Sequence, residues 1–266
     1  MATINYRLQK IAEDLFIKYN SKERTYIEER ITNFKSSIRD YFGNEVSDIL
    51  VFGSYKRDTI LPREFDENSD IDVLVIFNQG EIEYTPETYR NQLKKFAETK
   101  YFSTTVLKSH PSIVLEMRKI KFDLVPCRIK SSFWNGESYQ IPDKNGAWMD
   151  TDPRGFNEKL TNANNRYNSI VKPVIRLIKC WNAYNGYPYP SYELEKIIAD
   201  MNFSNDNFQT GFLYCIDKLS TYGMPDAKAK KVESLKNKRE WIKEYLERDD
   251  QEKAEEVIGR ALGIEI

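Results

Sequence analysis

Residues 71–77, IDVLVIF, are apolar at every position except Asp72. A strand that is apolar on both of its faces is typical of a sheet covered from two sides. This run therefore predicts an α/β (α+β) fold in which helices pack against a sheet. The chain has 266 residues, which is more than a typical single domain and leaves room for two lobes.

The first half of the chain alternates predicted helices and strands. Helical spacing of apolar residues predicts helices over 3–19 and 22–42, and Thr85-Pro86 begins another that extends to about residue 99. A strand over 46–53 leads into Ser54. Two further strands, Ser112–Met117 and Ile120–Val125, are predicted to form a hairpin through Arg118-Lys119.

The second half is predicted to be mostly helical from about Pro153. The predicted helices cover Asn168–Trp181, 191–201, 207–221 and 234–262. The segment 135–155 is rich in turn-forming residues and is interpreted as the link between lobes. The predicted organisation is a catalytic core with N-terminal helices over 1–155 and a helical C-terminal lobe over 156–266.

Composition narrows the functional classes. The formal charge of −1 lacks the basic excess of a protein that coats nucleic acid. Three scattered cysteines without a zinc-like spacing fit a reducing cytoplasm. The one histidine, His110, precedes a proline at the start of a strand-like run, where a structural role is expected. Without a signal peptide or an apolar run of about 18 residues, a soluble cytoplasmic protein is predicted.

Three aspartates form a candidate metal site. Asp70 and Asp72 are two residues apart at the start of a strand, so their side chains are expected on one face. Carboxylates this close repel each other, and a divalent cation such as Mg²⁺ removes the conflict. Asp123, within the strand KFDLV, could point at the same place if the two strands pair. Three acids around two ions suit in-line phosphoryl transfer.

Gly53-Ser54 is a candidate phosphate-binding turn. It follows a predicted strand, glycine allows close approach of the backbone, and the serine hydroxyl adds a donor. An isolated Asp-x-Asp is usually surface acid, and an isolated Gly-Ser is usually a turn. Their combination with an acid inside a later strand is much more specific, and it indicates a nucleotidyltransferase site.

This constellation resembles the polymerase-β nucleotidyltransferase superfamily. The string FGSYKRDTILPREFDENSDIDVLVIF is similar to the CD-NTases of the SMODS type, bacterial relatives of oligoadenylate synthase and cyclic GMP-AMP synthase. The resemblance continues through IPDKNGAWMDTDP, RLIKCWNAYNG and SYELEK, and covers about residues 20–200. It implies a polymerase-β-like palm with a helical C-terminal lobe and nucleotides bound in the cleft between them. The gap between Ser54 and Asp70 is longer than in the most compact members.

The resemblance also implies further binding residues. Lys179 matches a lysine that contacts the donor triphosphate, although a solvated helix residue is the alternative. Ser191 matches a serine that touches phosphate, with a simple helix cap as its alternative, and Tyr192 matches an aromatic that stacks on a base. Lys56 is a candidate for supporting phosphates. The asparagine-rich run 162–168 is a candidate for base choice.

The implied activity is the synthesis of a cyclic di- or trinucleotide from nucleoside triphosphates, dependent on two Mg²⁺ or Mn²⁺ ions. The product would act as a second messenger in antiphage (CBASS-type) signalling, read by a downstream effector. No membrane partner and no nucleic-acid activator are expected. Two alternatives stay open: nucleotide transfer to a protein, an RNA end or a small molecule, and a nucleotide-binding sensor without activity.

Overall fold

A computed structural model describes residues 3–80, 84–109, 111–117, 120–132 and 136–265. Internal contacts divide the chain into two compact units. The first, called here the sheet unit, comprises Lys18–Arg57 and Asn68–Asn157, and the second, the helical unit, comprises Met1–Ile17, Asp58–Glu67 and Glu158–Ile266. Both units are discontinuous in sequence, because Met1–Ile17 and Asp58–Glu67 group with the C-terminal segment Glu158–Ile266. The division into two lobes at residue 155 stays a prediction.

The described part of the sheet unit contains seven strands. They are β1 (Val46–Phe52), β2 (Ile71–Phe77), β3 (Thr105–Ser109), β4 (Ser112–Glu116), β5 (Lys121–Ser132), β6 (Gly136–Pro142) and β7 (Trp148–Thr151). The strand order is β1-β2-β5-β4-β3, with β6 paired to β5 and β7 paired to β6. The β2–β5 pair is parallel and the other pairs are antiparallel.

Helices of the sheet unit pack against the sheet. They are α2 (Lys22–Phe42), the four-residue α3 (Gly53–Lys56) and α4 (Pro86–Lys100), with a 3-10 turn at Gly43–Glu45. Phe34 of α2 stacks on Phe122 of β5, with ring centroids 4.5 Å apart. Side chains alternate between the two faces along a strand, so Asp123 lies on the face opposite to its neighbour Phe122.

The helical unit is built around one buried helix. Its helices are α1 (Ile4–Asp14), α5 (Gly155–Arg166), α6 (Val171–Tyr184), α7 (Ser191–Ala199), α8 (Phe208–Lys218), α9 (Asp226–Glu247) and α10 (Gln251–Leu262). The first three residues of α5 belong to the sheet unit. Ten of the fourteen residues of α6 are buried. It contacts α1, α7, α8 and α10, so it forms the core of this unit.

The predicted mixed α/β architecture and most elements are confirmed, and three predictions of detail are wrong. The segment 135–155 contains β6 and β7, because its turn-forming residues join two short strands. The predicted helix 234–262 is two helices, since Asp249 adopts a positive φ of 57° and Asp250 caps α10. The first helix ends at Asp14 and not near residue 19.

Some predictions concern residues outside the described ranges, and others concern the membrane and the cellular location. His110 and the connection Arg118-Lys119 lie outside the described residues. Among the helices that the structure describes, none combines the length and the apolar character needed to cross a bilayer. The cytoplasmic location stays a prediction.

Candidate active site

The register of β2 and β5 brings two of the three aspartates together. In this parallel pair, Asp72 is the direct partner of Asp123. Neighbouring strands lie ~4.8 Å apart, and partner residues project to the same side of the sheet. Two carboxylates therefore lie side by side at the start of the strands.

Asp123 is mostly buried and incompletely satisfied. Its Oδ2 accepts a hydrogen bond of 3.0 Å from the Ser112 hydroxyl. Its Oδ1 is buried and has no hydrogen-bond partner among the described residues. Burial is the main cause that raises the pKa of Asp123, while the Lys121 ammonium and the Ser112 hydrogen bond act in the opposite direction. A buried carboxylate oxygen without a partner is costly, so it calls for a cation or a proton.

Asp70 is directed to a basic side chain. Its Oδ2 lies 3.7 Å from the ammonium of Lys121, which precedes Asp123 by two residues on β5. Within the described ranges, no group of three or more histidine, cysteine, aspartate or glutamate side chains is arranged to hold a metal ion. The arrangement thus pairs Asp72 with Asp123 and leaves Asp70 turned to Lys121.

These residues nevertheless fit a divalent cation. The carboxylates of Asp72 and Asp123 supply oxygen donors, which Mg²⁺ and Mn²⁺ prefer. The unsatisfied Oδ1 of Asp123 is an atom that such an ion would satisfy. Asp70, at 29% side-chain exposure and 3.7 Å from Lys121, is held by a loose ion pair.

Mg²⁺ is expected to stabilise the protein through Asp123. Adding saturating Mg²⁺ should raise the melting temperature by roughly 2–4 °C for each kcal/mol by which the bound ion stabilises the folded protein. The variant Asp123→Asn should lose most of this rise, because an amide oxygen binds the ion more weakly. Differential scanning fluorimetry with KCl at matched ionic strength tests this. Asp48→Asn, at an exposed aspartate of β1, is the control; an equal rise in Asp123→Asn contradicts the assignment.

Gly53 lies directly against Asp72. Its φ is +72°, and a Cβ at this position would be 1.7 Å from Oδ2 of Asp72. Glycine is required here for two reasons, namely the left-handed backbone and the contact with the carboxylate. Ser54 follows in the short helix α3 and is half-buried. The backbone of Gly53 is therefore in contact with the carboxylate of Asp72.

The basic residues after this turn differ in exposure. Lys56 is exposed, which leaves it accessible to a phosphate. Arg57 is buried, and its guanidinium carbon lies 5.2 Å from the centre of the Phe156 ring. Arg57 is thus engaged in a cation–π contact inside the sheet unit. Of the two, Lys56 remains the candidate for phosphate binding.

Lys179 is not the solvated helix residue that the sequence left open. Its side chain is 5% exposed, and its ammonium lies 3.0 Å from Oε1 of Glu195, which is 1% exposed. Contact with a triphosphate stays a prediction for Lys179. Any such contact would be made by an ammonium that is already held by Glu195.

Ser191 and Tyr192 begin α7. Pro190 is the N-cap of this helix and provides no side-chain cap, so Ser191 is its first residue and not a simple cap. Tyr192 is 48% exposed. The ammonium of Lys196 lies 5.3 Å from the centre of its ring. The exposed ring can accept a base, and both binding roles stay predictions.

Sequence reasoning missed three residues that contact the predicted site residues: Ser112, Lys121 and Glu195. Lys121 could have been found, since it is two residues from Asp123 and must share its face. Ser112 and Glu195 could not, because their contacts depend on tertiary pairing. Within the asparagine-rich run, Asn164 is engaged in the fold, where its Oδ1 accepts a 2.9 Å hydrogen bond from the amide of Lys172.

Comparison with known proteins identifies related sequences. Residues 1–164 match the family described as Second Messenger Oligonucleotide or Dinucleotide Synthetase domain, SMODS. The chain is 29% identical over 237 residues to a probable cyclic nucleotide synthase of Bacillus cereus, covering 75% of this chain and 69% of the relative. It is 28% identical over 196 residues to a cyclic AMP-AMP-AMP synthase of Acinetobacter sp., covering 68% of this chain and 55% of the relative.

The fold is also found among solved structures. The Bradyrhizobium diazoefficiens CD-NTase CdnG, solved in complex with GTP, aligns with a TM-score of 0.67 at 13% identity, covering 97% of each chain. At this identity the match establishes the fold: a polymerase-β-like nucleotidyltransferase palm together with its helical part. The predicted fold class is confirmed.

Proposed function

Because this chain belongs to the Second Messenger Oligonucleotide or Dinucleotide Synthetase family, we propose that it is a metal-dependent enzyme that joins nucleoside triphosphates into a cyclic di- or trinucleotide. The observation that carries the proposal is the register of Asp72 with Asp123. Gly53 adds to it, because its backbone lies against the Asp72 carboxylate.

In the proposed reaction, a ribose hydroxyl of one nucleotide attacks the α-phosphate of another. A new P–O bond forms, the bond to the β-phosphate breaks, and pyrophosphate leaves. Asp70, Asp72 and Asp123 would hold Mg²⁺ or Mn²⁺, two ions in the family-based expectation, whose chemistry is to activate the hydroxyl and neutralise phosphate charge. One such step gives a linear dinucleotide and a further one a linear trinucleotide. The free ribose hydroxyl at one end then attacks the α-phosphate of the triphosphate at the other end, which closes the ring and releases another pyrophosphate.

The chain's own groups have distinct proposed roles. Asp123 is proposed to help remove the hydroxyl proton, because its carboxylate lies beside that of Asp72 in the paired strands. The Ser54 hydroxyl, Lys56, Lys179 and Ser191 are proposed to orient the triphosphate. The exposed ring of Tyr192 is proposed to stack on a base, which makes little demand on base identity.

We also propose that the product serves in antiphage signalling, where a downstream effector binds it. The support is the CD-NTase resemblance together with relatives that are themselves named as cyclic nucleotide synthases. Base identity, ring size and linkage depend on side chains that contact the bases.

Product analysis tests the proposed activity. Purified protein incubated with the four NTPs and Mg²⁺ or Mn²⁺ is expected to yield a small, phosphatase-resistant product whose mass fits a cyclic oligonucleotide. The variant Asp70→Asn with Asp72→Asn should yield none, because it removes two of the three ligand carboxylates. Mass spectrometry and thin-layer chromatography of labelled NTPs measure both results.

The other outcomes separate the alternatives. Label that appears on an added protein, RNA or small molecule, without a cyclic product, favours transfer to another acceptor. Nucleotide binding without turnover favours an inactive sensor. An unchanged yield in the Asp70/Asp72 variant refutes the assigned metal site.

A further inference from the structure

A buried polar cluster joins three segments of the helical unit. The Lys179 ammonium on α6 lies 3.0 Å from Oε1 of Glu195 on α7, and the Thr59 hydroxyl donates a 2.8 Å hydrogen bond to the same oxygen. Thr59 is fully buried, and Glu195 and Lys179 are 1% and 5% exposed. One carboxylate oxygen thus receives donors from two distant parts of the sequence.

Burying these charged and polar groups costs desolvation free energy. A buried ion pair recovers its desolvation cost only with good geometry and additional hydrogen bonds, and an apolar trio of the same size would be at least as stable. Buried ionic groups are best attested where they fix one arrangement of the chain. The cluster is therefore better explained by what it positions than by its contribution to stability.

We propose that Glu195 is a positioning residue that holds the Lys179 ammonium in place for a nucleotide phosphate. The inference rests on the proposed function, from which the phosphate role of Lys179 comes. An ammonium has three N–H donors, and the hydrogen bond to Glu195 uses one of them. Glu195 fixes the long lysine side chain in advance, so less rotamer freedom is lost when an anion binds.

The Thr59 contact extends this arrangement to the segment after the Gly-Ser turn. Thr59 follows Ser54 by five residues in sequence. The preceding residue, Asp58, has a φ of +60°, and its carboxylate lies 3.3 Å from the Lys172 ammonium. The Arg176 guanidinium donates a 2.9 Å hydrogen bond to the Asp58 carbonyl.

The far end of the same segment is held as well. The Tyr187 hydroxyl donates a short hydrogen bond to Asp66, four residues before Asp70. Tyr187 itself has a φ of +55°, an unfavourable backbone conformation that the surrounding contacts must maintain. The segment Asp58–Glu67, which connects the Gly-Ser and Asp-x-Asp motifs, is thus anchored at both ends within the helical unit, and Glu195 joins this anchor to Lys179.

The direct test is the affinity for a non-hydrolysable ATP analogue. Glu195→Gln keeps the shape and the acceptor for Thr59 but removes the charge that holds Lys179. We expect the dissociation constant, measured by calorimetry, to rise roughly tenfold, the size of one charge-assisted hydrogen bond. Unchanged or tighter binding overturns the proposal, since it would mean that Glu195 is neutral toward Lys179 or competes with the phosphate.

A double-mutant cycle separates positioning from a general loss of structure. If Glu195 acts through Lys179, the variant Lys179→Met with Glu195→Gln should bind the analogue no more weakly than Lys179→Met alone. Additive losses overturn the proposal. Glu256→Gln is the matched control, because Glu256 is an exposed helical glutamate paired with Arg260 at 3.2 Å. This control should keep wild-type affinity.

A second variant covers the case in which Glu195→Gln does not fold. Thr59→Val preserves side-chain shape and removes the hydroxyl donor; we expect a two- to fivefold rise in the dissociation constant, which follows from loss of a neutral hydrogen bond. Wild-type affinity in this variant overturns the link to the anchored segment. Absence of a cyclic product from the wild-type protein would count against the proposed function alone, because this test measures binding. A wild-type protein that does not bind the analogue overturns the inference.

Discussion

Replacing Asp123 with asparagine is expected to abolish product formation without lowering the melting temperature. Loss of the acid that is proposed to bind the ion and accept the hydroxyl proton should reduce kcat at least ~1,000-fold, since general-base and metal contributions each amount to orders of magnitude. The fold should tolerate the change, because the amide is almost the same size. Ser112 can still hydrogen-bond to the side chain.

The stability effect follows from the direction of the pKa shift. Burial raises the pKa of Asp123 above its ordinary value of 3.8. A carboxyl group with a raised folded-state pKa binds its proton more tightly in the folded protein than in the unfolded chain. The buried carboxylate therefore lowers the free energy of unfolding. This loss is absent below the ordinary pKa and is complete once the pH exceeds the folded-state pKa. Without metal at neutral pH, asparagine removes this cost, so the melting temperature should stay equal or rise.

Two measurements check this prediction. Thermal denaturation of the metal-free protein across pH should show that the difference between the variant and the wild type shrinks as the pH falls. Product assays with Mg²⁺ should show the loss of activity. Asp48→Asn, at an exposed aspartate of β1, should change neither. A variant that loses stability and activity together would instead assign Asp123 a structural role.

Much of the sheet unit could be predicted from sequence because its signals are local. The run of β2 is apolar on both faces, and Thr85-Pro86 gives a helix start that α4 follows. The short strands β6 and β7 were not predictable in the same way. Turn formers surround them, and their pairing depends on β5, which supplies the neighbouring edge.

In the candidate site, too, some features could be predicted from the local sequence and others depend on tertiary structure. Alternation along strands predicts that Asp70 and Asp72 share a face, and the parallel register makes Asp123 the partner of Asp72. The contact of Asp70 with Lys121 depends on tertiary structure, as does that of Lys179 with Glu195. No local pattern distinguishes a buried, paired lysine from a solvated one on a helix, so the surroundings of Lys179 became apparent only from the fold.

Replacing Gly53 with alanine is expected to reduce activity at least ~100-fold, the cost of misplacing a reacting group by about 1 Å. The new methyl carbon would lie 1.7 Å from Oδ2 of Asp72, so the carboxylate or the turn must move. Asp72 cannot move along its strand, because β2 is hydrogen-bonded on both sides by β1 and β5. The clash can therefore be relieved only by rotation of the Asp72 carboxylate or by a shift of the turn, and either change alters how the turn and Asp72 lie against each other.

The strain of the backbone and the clash with Asp72 can be separated by a matched variant. Gly146 has a φ of +82°, and a Cβ at this position would meet nothing within 4 Å. Gly146→Ala therefore loses about 1 kcal/mol of stability to the left-handed backbone conformation, without a clash with a carboxylate. Both variants should lose a few degrees of melting temperature, but Gly53→Ala alone should lose product formation and Mg²⁺-dependent stabilisation. If the two variants were equally active, the contact between the turn and Asp72 would have no part in the reaction. The assignment of Asp72 to the proposed site would then be contradicted.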